Sequence, residues 1–315
     1  MPKMVNFDEG CAKALVLGHN EQVCRVGICI SSRLTISPSI PARAGAWWPV
    51  WESGFPMPLA DSLVASPPSW TESGDLEGWV HSTEAFCVSQ GPGIRYVLTL
   101  SGCPLRCQYC QAPDTWFRNE GAPALVTDVL ADIARRKGML RGRGGVTLSG
   151  GEPLMQARFC KAILQGCKAM GLHTALDTSG YFGDLADDDL LAEVDLVLLD
   201  IKTISEARYR ELTGVELAPT LRFANVLAAQ NKAVWLRFVL VPGVTDDLED
   251  IARLAKFAAQ LGNIERVEVL PFDKQGEYKW RDRGLDYQLA GIKPPAEELL
   301  EQVRKLFRSE GLVAV

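Results

Sequence analysis

The chain has 315 residues, enough for one large domain or two small ones, and its 47% hydrophobic and 23% charged residues are an ordinary globular balance. A net charge of −6 and a pI near 5.3 argue against a general nucleic-acid binder, which would carry a basic face. No apolar run approaches the roughly 20 residues that span a bilayer, which argues against a membrane protein.

Residues 1–75 read as a weakly ordered extension of unassigned role. Pro38, Pro41, Pro49, Pro56, Pro58, Pro67 and Pro68 break any long periodicity, and Trp47, Trp48 and Trp51 stand out in an otherwise weak segment. Met1 to His19 has no apolar core followed by a cleavage-like motif, and Asp8, Glu9 and Glu21 interrupt a targeting peptide; a later start, as at Met57, is an alternative reading. Residues 76–315 form the second unit, regular from Trp79 onward. The composition predicts strands over 94–100, 146–149, 173–177, 194–200, 234–241 and 266–271, with a last short strand over 312–315. Helices are expected over 126–137, with Thr127 as N-cap, and over 155–170, 219–230, 247–261 and 295–310. Such alternation predicts a parallel sheet with crossover helices, about six βα units rather than the eight of a closed barrel.

Cys103-Pro-Leu-Arg-Cys107-Gln-Tyr-Cys110, after the first of these strands, carries the chemistry. Two loop cysteines three apart and a third four before them can converge on one metal centre. A structural zinc would want a fourth ligand, and none is near: Cys87 lies upstream of the strand and the next cysteine downstream is Cys160. Three thiolates on a cubane iron–sulfur cluster leave one iron open for a ligand. Zinc with a distant fourth ligand, or three unrelated core cysteines, are the alternatives. Nine cysteines would suit a disulfide framework in a small secreted chain, but this chain is too long to need one, and the loop's reduced thiolates fit the cytoplasm. Cys160 and Cys167 sit in a predicted helix and read as core.

The spacing, with an aromatic before the last cysteine, resembles the signature of the radical S-adenosylmethionine superfamily. Gly91-Pro-Gly-Ile-Arg95, Asp114-Thr-Trp116, Ser149-Gly-Gly-Glu-Pro153, Leu176-Asp-Thr-Ser-Gly180, Leu198-Leu-Asp-Ile-Lys202, Arg237-Phe-Val-Leu-Val-Pro-Gly243, Gly276-Glu-Tyr-Lys-Trp280 and Gly291-Ile-Lys-Pro-Pro295 follow one another in an order similar to the pyruvate formate-lyase activating enzymes, a group of glycyl-radical activases. The resemblance covers residues 78–315 and implies a partial, open (β/α)6 barrel. It implies a single [4Fe-4S] cluster on Cys103, Cys107 and Cys110, since residues 111–159 contain no cysteine for further clusters. It implies S-adenosylmethionine beside Tyr109, Gln111, Gly150, Gly151, Glu152, Asp177, Asp200, Lys202 and Asp273. A monovalent cation, Na+ or K+, would sit among Asp177, Thr178, the Leu198 carbonyl and Asp200. The implied reaction is reductive cleavage of S-adenosylmethionine to a 5′-deoxyadenosyl radical, which takes an α-hydrogen from a glycine of a partner enzyme in anaerobic metabolism. The partner would insert a loop into the open barrel of a monomer, with flavodoxin or ferredoxin as reductant. Two other classes stay open: a radical enzyme acting on another peptide or small molecule, and a non-enzymatic iron–sulfur electron carrier.

On residue chemistry alone, Gly150-Gly151 is either a close-approach backbone or an ordinary strand-to-helix turn, and Asp177 and Asp200 are either ligand contacts or helix N-caps. Lys202 is either a solvated lysine or a partner for a carboxylate. Three positions depart from the family pattern: Gln111 and Ala112 stand where His-Asn is usual, and Asp273 where a His is usual. An Asp accepts hydrogen bonds but cannot stack as an imidazole does, so the departures bear on cofactor affinity and leave the thiols untouched.

Overall fold

The computed structural model describes residues 75–315, Arg141 and Arg143 aside. The N-terminal extension and its tryptophans lie outside the described residues, apart from Asp75. The chain enters through β1 (Glu77–Cys87), which turns back antiparallel into β2 (Arg95–Leu100). After the cysteine loop come β3 (Ala122–Leu125) and α1 (Val126–Leu140). The chain then alternates through β4 (Gly145–Gly150), α2 (Ala157–Ala169), β5 (His173–Thr178), α3 (Asp188–Ala192) and β6 (Leu196–Asp200). It continues through α4 (Glu206–Thr213), α5 (Ala218–Ala229), β7 (Val234–Leu240), α6 (Leu248–Leu261), β8 (Ile264–Pro271), α7 (Glu277–Asp282) and α8 (Glu297–Ser309).

The eight strands form one sheet in the order β3-β1-β2-β4-β5-β6-β7-β8. From β2 to β8 every pairing is parallel, which accounts for the expected βα units; β1 and β3 extend the sheet antiparallel beyond β2. β2 and β8 do not pair, so the sheet is open. The parallel strands from β2 to β7 are buried along most of their length, as strands covered on both faces must be, while β8 at the edge buries only Val267 and Val269. Leu98, Leu100, Val146, Leu148, Val197 and Leu199 pack under the helices. Arg95, Thr147 and Arg237 are buried as well, so part of the strand register faces a polar interior.

Several expectations are corrected. Thr127 does not cap α1: the helix already includes Val126, and the Thr127 hydroxyl donates to Asp75 Oδ2. The helix expected over 155–170 begins as a separate 3-10 turn, Pro153–Gln156, because Pro153 sits at its start and Glu152 accepts from the Leu154 N–H. The final segment makes a single parallel bridge, Val267 to Ala314, in place of a strand. The helix expected over 247–261 begins at Leu248, and Asp247 caps it, accepting from the Glu249 and Asp250 N–H groups.

Candidate active site

The cysteine loop leaves β2 at its C-terminal end and is closed at its base. Gly102 N–H donates to Thr115 O (2.7 Å) and Cys103 N–H to Trp116 O (3.0 Å). Its far side rests on the end of α4, where Arg106 and Gln108 N–H groups donate to Thr213 O and Leu212 O (2.7 and 3.0 Å). The Arg106 guanidinium turns inward to Cys103 O (2.6 Å) and lies over the Trp116 ring at 4.9 Å. Cys107 is buried, Cys103 and Cys110 partly so. Burial pushes the Cys103 thiol well above its ordinary range, with Cys107, Glu152 and Cys110 adding to it. Burial likewise pushes Cys107 up to about 12 although Lys202 pulls it down, and it raises Cys110.

Buried thiols of this kind become thiolates only toward a group that brings positive charge, which is the requirement of metal or iron–sulfur ligation. Among the described residues no group of three His, Cys, Asp or Glu side chains is gathered as a single metal ion would need. A fourth thiol is also missing there: Cys160 donates to Pro153 O in the core, Cys87 bonds Ser89, and Cys167 is fully buried under the sheet. The donor set therefore fits a cluster with an open position better than zinc.

Gly150 and Gly151 have a structural reason to be glycine. Gly150 has φ +126°, and a Cβ there would stand 2.3 Å from Leu100 N and O. A Cβ on Gly151 would stand 2.2 Å from Gly102 O. The segment after β4 is thus pressed against the base of the cysteine loop, and Gly151 and Glu152 N–H groups donate to Leu100 O and Gly102 O (2.9 and 2.7 Å). Glu152 is wholly buried. Its Oε1 accepts from Leu154 N–H (3.1 Å) and Thr178 Oγ1 (2.6 Å), and its Oε2 from Ser179 N–H (2.9 Å) and Ser179 Oγ (2.5 Å). It is a strut joining the loops after β4 and β5, and burial raises its carboxyl despite those bonds.

Across the neighbouring strand ends lies a charged cluster. Asp177 Oδ2 accepts from Ser149 Oγ (2.6 Å), while its buried Oδ1 accepts no hydrogen bond and sits 3.3 Å from Arg237 Nη1. Burial pushes the Asp177 carboxyl up; Arg237 opposes this and Asp200 reinforces it. Asp200 Oδ2 is 3.1 Å from Lys202 Nζ. Burial alone would lower Lys202, but Asp200 keeps its ammonium well above the usual range. Lys202 Nζ also lies 5.7 Å over the ring of Tyr109, whose buried hydroxyl has no hydrogen-bond partner. Neither Asp177 nor Asp200 caps a helix; α3 and α6 are capped by Asp187 and Asp247. Thr178 Oγ1 donates to Glu152 and accepts from Gly180 N–H (2.9 Å), and Leu198 is buried in β6 opposite Asp177.

In the sequence Arg237 stands only as the first residue of the Arg237–Gly243 motif, with no role attached. It is 4% exposed and bonds Glu268 Oε2 (3.0 Å), Gln90 Oε1 (2.8 Å) and Ser89 O (2.7 Å). An arginine inside an otherwise apolar strand was the available signal. Gln90, in the turn between β1 and β2, gave none; Thr147 Oγ1 fixes that turn by donating to Gln90 O (2.6 Å) and accepting from Arg95 Nε (2.9 Å). A cleft of about 510 Å3 between α4 and the loop after β7, lined in part by Gln108, Arg208 and Gly243, contains none of the predicted site residues.

Gln111 and Asp273 meet: Gln111 Nε2 donates to Asp273 Oδ1 (2.8 Å). Around them, Trp280 Nε1 donates to Cys110 O (2.8 Å), and Lys279 pairs with Asp114 (3.0 Å). The structure thus brings the thiols, Tyr109, Asp177, Asp200 and Lys202 to one end of the strands, with Gln111 and Asp273 at its rim and Glu152 behind it.

Residues 97–255 match the Radical SAM superfamily. The pyruvate formate-lyase 1-activating enzyme of Escherichia coli (strain K12) is 40% identical over 237 residues, 74% of this chain and 96% of the relative. The pyruvate formate-lyase-activating enzyme of Streptococcus mutans serotype c is 41% identical over 243 residues, 75% of this chain and 92% of the relative. Among solved structures, a radical SAM methyltransferase from Sphaerobacter thermophilus superposes with a TM-score of 0.52 at 15% identity, over 83% of this chain and 81% of that one, a likeness of fold alone. With a cysteine loop on an open parallel sheet and about 40% identity over nearly the full length of these relatives, the chain belongs to the radical S-adenosylmethionine superfamily and, within it, to the pyruvate formate-lyase activating enzymes.

Proposed function

We propose that this chain activates a glycyl-radical enzyme of the pyruvate formate-lyase kind by removing an α-hydrogen from one of its glycines. The observation that carries the reading is the set of three thiols, one buried and two partly so, with no fourth beside them among the described residues, next to a cluster of strand-end charges. Cys103, Cys107 and Cys110 would hold the [4Fe-4S] cluster of the family. Held there, the cluster would supply the reducing electron for cleavage of S-adenosylmethionine, the chemistry from which hydrogen abstraction at glycine follows.

The chain's own residues bind and orient. Lys202 and Arg237 offer buried positive charge to a carboxylate, and Asp177 Oδ1 and Asp200 offer acceptors to an amino group, a ribose or a cation. A Na+ or K+ ion among Asp177, Thr178, Leu198 and Asp200 would share Asp200 with Lys202; Thr178 Oγ1 keeps one lone pair for it. Tyr109 and Trp116 belong to an apolar cluster packed on Cys103 and Cys110, and Cys107 sits in a second one with Leu105 and Tyr209. The open sheet, in which β8 pairs with no named strand but β7, suits a partner that inserts a loop, and glycine suits because its Cα is unshielded. Flavodoxin or ferredoxin would supply electrons to a monomeric enzyme in the cytoplasm. Among the described residues no helix is long and apolar enough to cross a membrane.

The test is anaerobic reconstitution and electron paramagnetic resonance of the reduced protein, with and without S-adenosylmethionine. A [4Fe-4S]+ signal that S-adenosylmethionine shifts is expected, and Cys107→Ser should lose both the cluster and the cleavage of S-adenosylmethionine. Cleavage retained by Cys107→Ser would refute the assignment.

A further inference from the structure

We infer that Gln111 and Asp273 form a latch across the open side of the mouth and act as positioning residues for S-adenosylmethionine; the inference rests on the function proposed above. β2 and β8 end the parallel run and share no backbone hydrogen bond; β1 lies beyond β2, and the segments that follow β2 and β8 meet through Gln111 and Asp273. The cysteine loop follows β2, and the segment carrying Asp273 follows β8. Gln111 is the residue next to Cys110, so whatever fixes Gln111 fixes one thiol.

Asp273 is built to do this. Its Oδ1 accepts from the Gln275 N–H (2.9 Å), which turns the chain immediately after the last strand, and from Gln111 Nε2 (2.8 Å). The same turn carries Gly276 against the Gln111 backbone, where a Cβ would stand 2.5 Å from Gln111 Cα. Side chain and backbone of Gln111 are therefore gripped by one turn. The Asp273 carboxylate is committed to protein donors, since its Oδ2 also accepts from Gln275 Nε2 (3.4 Å). That commitment assigns it to holding the rim and not to touching the ligand. Trp280 and Lys279 tie the same two segments farther along, so losing the latch loosens the rim without separating it. A ligand bound between the thiols and the strand ends then has to order the rim itself, and affinity falls by that cost.

The experiment titrates S-adenosylmethionine into the anaerobically reconstituted full chain and follows the shift in the reduced cluster's resonance. Wild type is compared with Gln111→Ala, Asp273→Ala, the double variant and Asp273→Asn, and thermal unfolding is measured for each. Each alanine should weaken half-saturation by about three- to tenfold, the worth of one exposed hydrogen bond. The double variant should be no weaker than the weaker single, because both remove the same bond. Asp273→Asn should stay within about twofold of wild type, since its amide oxygen can accept both hydrogen bonds. Multiplicative losses in the double variant, an asparagine variant as weak as alanine, or unchanged single variants each overturn the latch. A wild-type signal that S-adenosylmethionine does not move refutes the proposed function, and the latch with it.

Discussion

Glu152→Gln is the sharpest test of how the loops behind the site are held. The side chain keeps its shape and loses its charge. In the native carboxylate each oxygen accepts one backbone N–H and one hydroxyl: Leu154 and Thr178 on Oε1, Ser179 twice on Oε2. An amide has one acceptor oxygen. If its NH2 replaces Oε2, the Ser179 hydroxyl can rotate to accept, but the Ser179 N–H meets another donor. If it replaces Oε1, the Thr178 hydroxyl can rotate and the Leu154 N–H is stranded. Either way one buried N–H is left unpaired, at a cost of about 1–3 kcal/mol. Removing a buried charge recovers part of this, since burial raises the Glu152 carboxyl. A net loss of about 2 kcal/mol is expected for glutamine. Alanine strands every donor and adds a cavity, so about 4 kcal/mol is expected there. Anaerobic urea unfolding measures both, and amide hydrogen exchange at Leu154 and Ser179 reports which donor was lost. A glutamine variant as stable as wild type, with both amides still protected, would refute the reasoning.

Arg237→Met should cost about 3 kcal/mol in urea unfolding, because it leaves Asp177 and Glu268 as largely buried carboxylates without their cation. Arg237→Lys should fall between, since a single ammonium cannot reproduce a fork that serves Glu268, Gln90 and Ser89. Gly151→Ala should displace the base of the cysteine loop and cut the iron bound on reconstitution, whereas Gly291→Ala, with nothing within 4 Å of its Cβ position, should match wild type in an iron assay. Burial would raise Asp114, but hydrogen bonds from His81 and Lys279 outweigh it and hold the carboxyl near 2. Its contribution is present above the unfolded carboxylate range near 4 and is lost as pH falls through about 2. Discounted for solvent screening it amounts to about 1 kcal/mol, so Asp114→Asn should flatten the acid limb of stability between about pH 4 and 2 in denaturant titrations.

The parallel strands could be read from sequence because each is a short apolar run that ends on a chemically distinctive motif. β1 could not: His81, Ser82, Thr83 and Glu84 interrupt its apolar residues, and its pairing with β2 shifts register twice. β3 carries Pro123, which argues against a strand except at the edge where it stands. α4 and α7 are short and bury few residues, so their periodicity never rises above the motifs around them. In the site, the residue types that iron and a charged cofactor require were legible, because thiols and strand-end acids are chemically conspicuous. The resemblance sets Glu152 beside the cofactor, but its burial behind the loops was not legible, because a sequence motif cannot say which side of a loop a carboxylate faces. Gln90 was invisible because its role depends on a turn crossing to a strand far away in sequence.

An open sheet has two edges, and an unprotected edge is a template for unwanted strand pairing. Here one edge is β3, four residues long and broken by Pro123. The other is covered by the last residues of the chain: Val267 and Val269 N–H groups donate to Val313 O and Val315 O, Val315 N–H returns to Val267 O, and Arg308 holds Ala314 O. The molecule can leave its flank open to a visiting polypeptide without offering a free ladder to a second copy of itself. Removing residues 312–315 would leave the thiols in place and turn β8 into an aggregation seed, so variants trimmed there should precipitate before they lose iron.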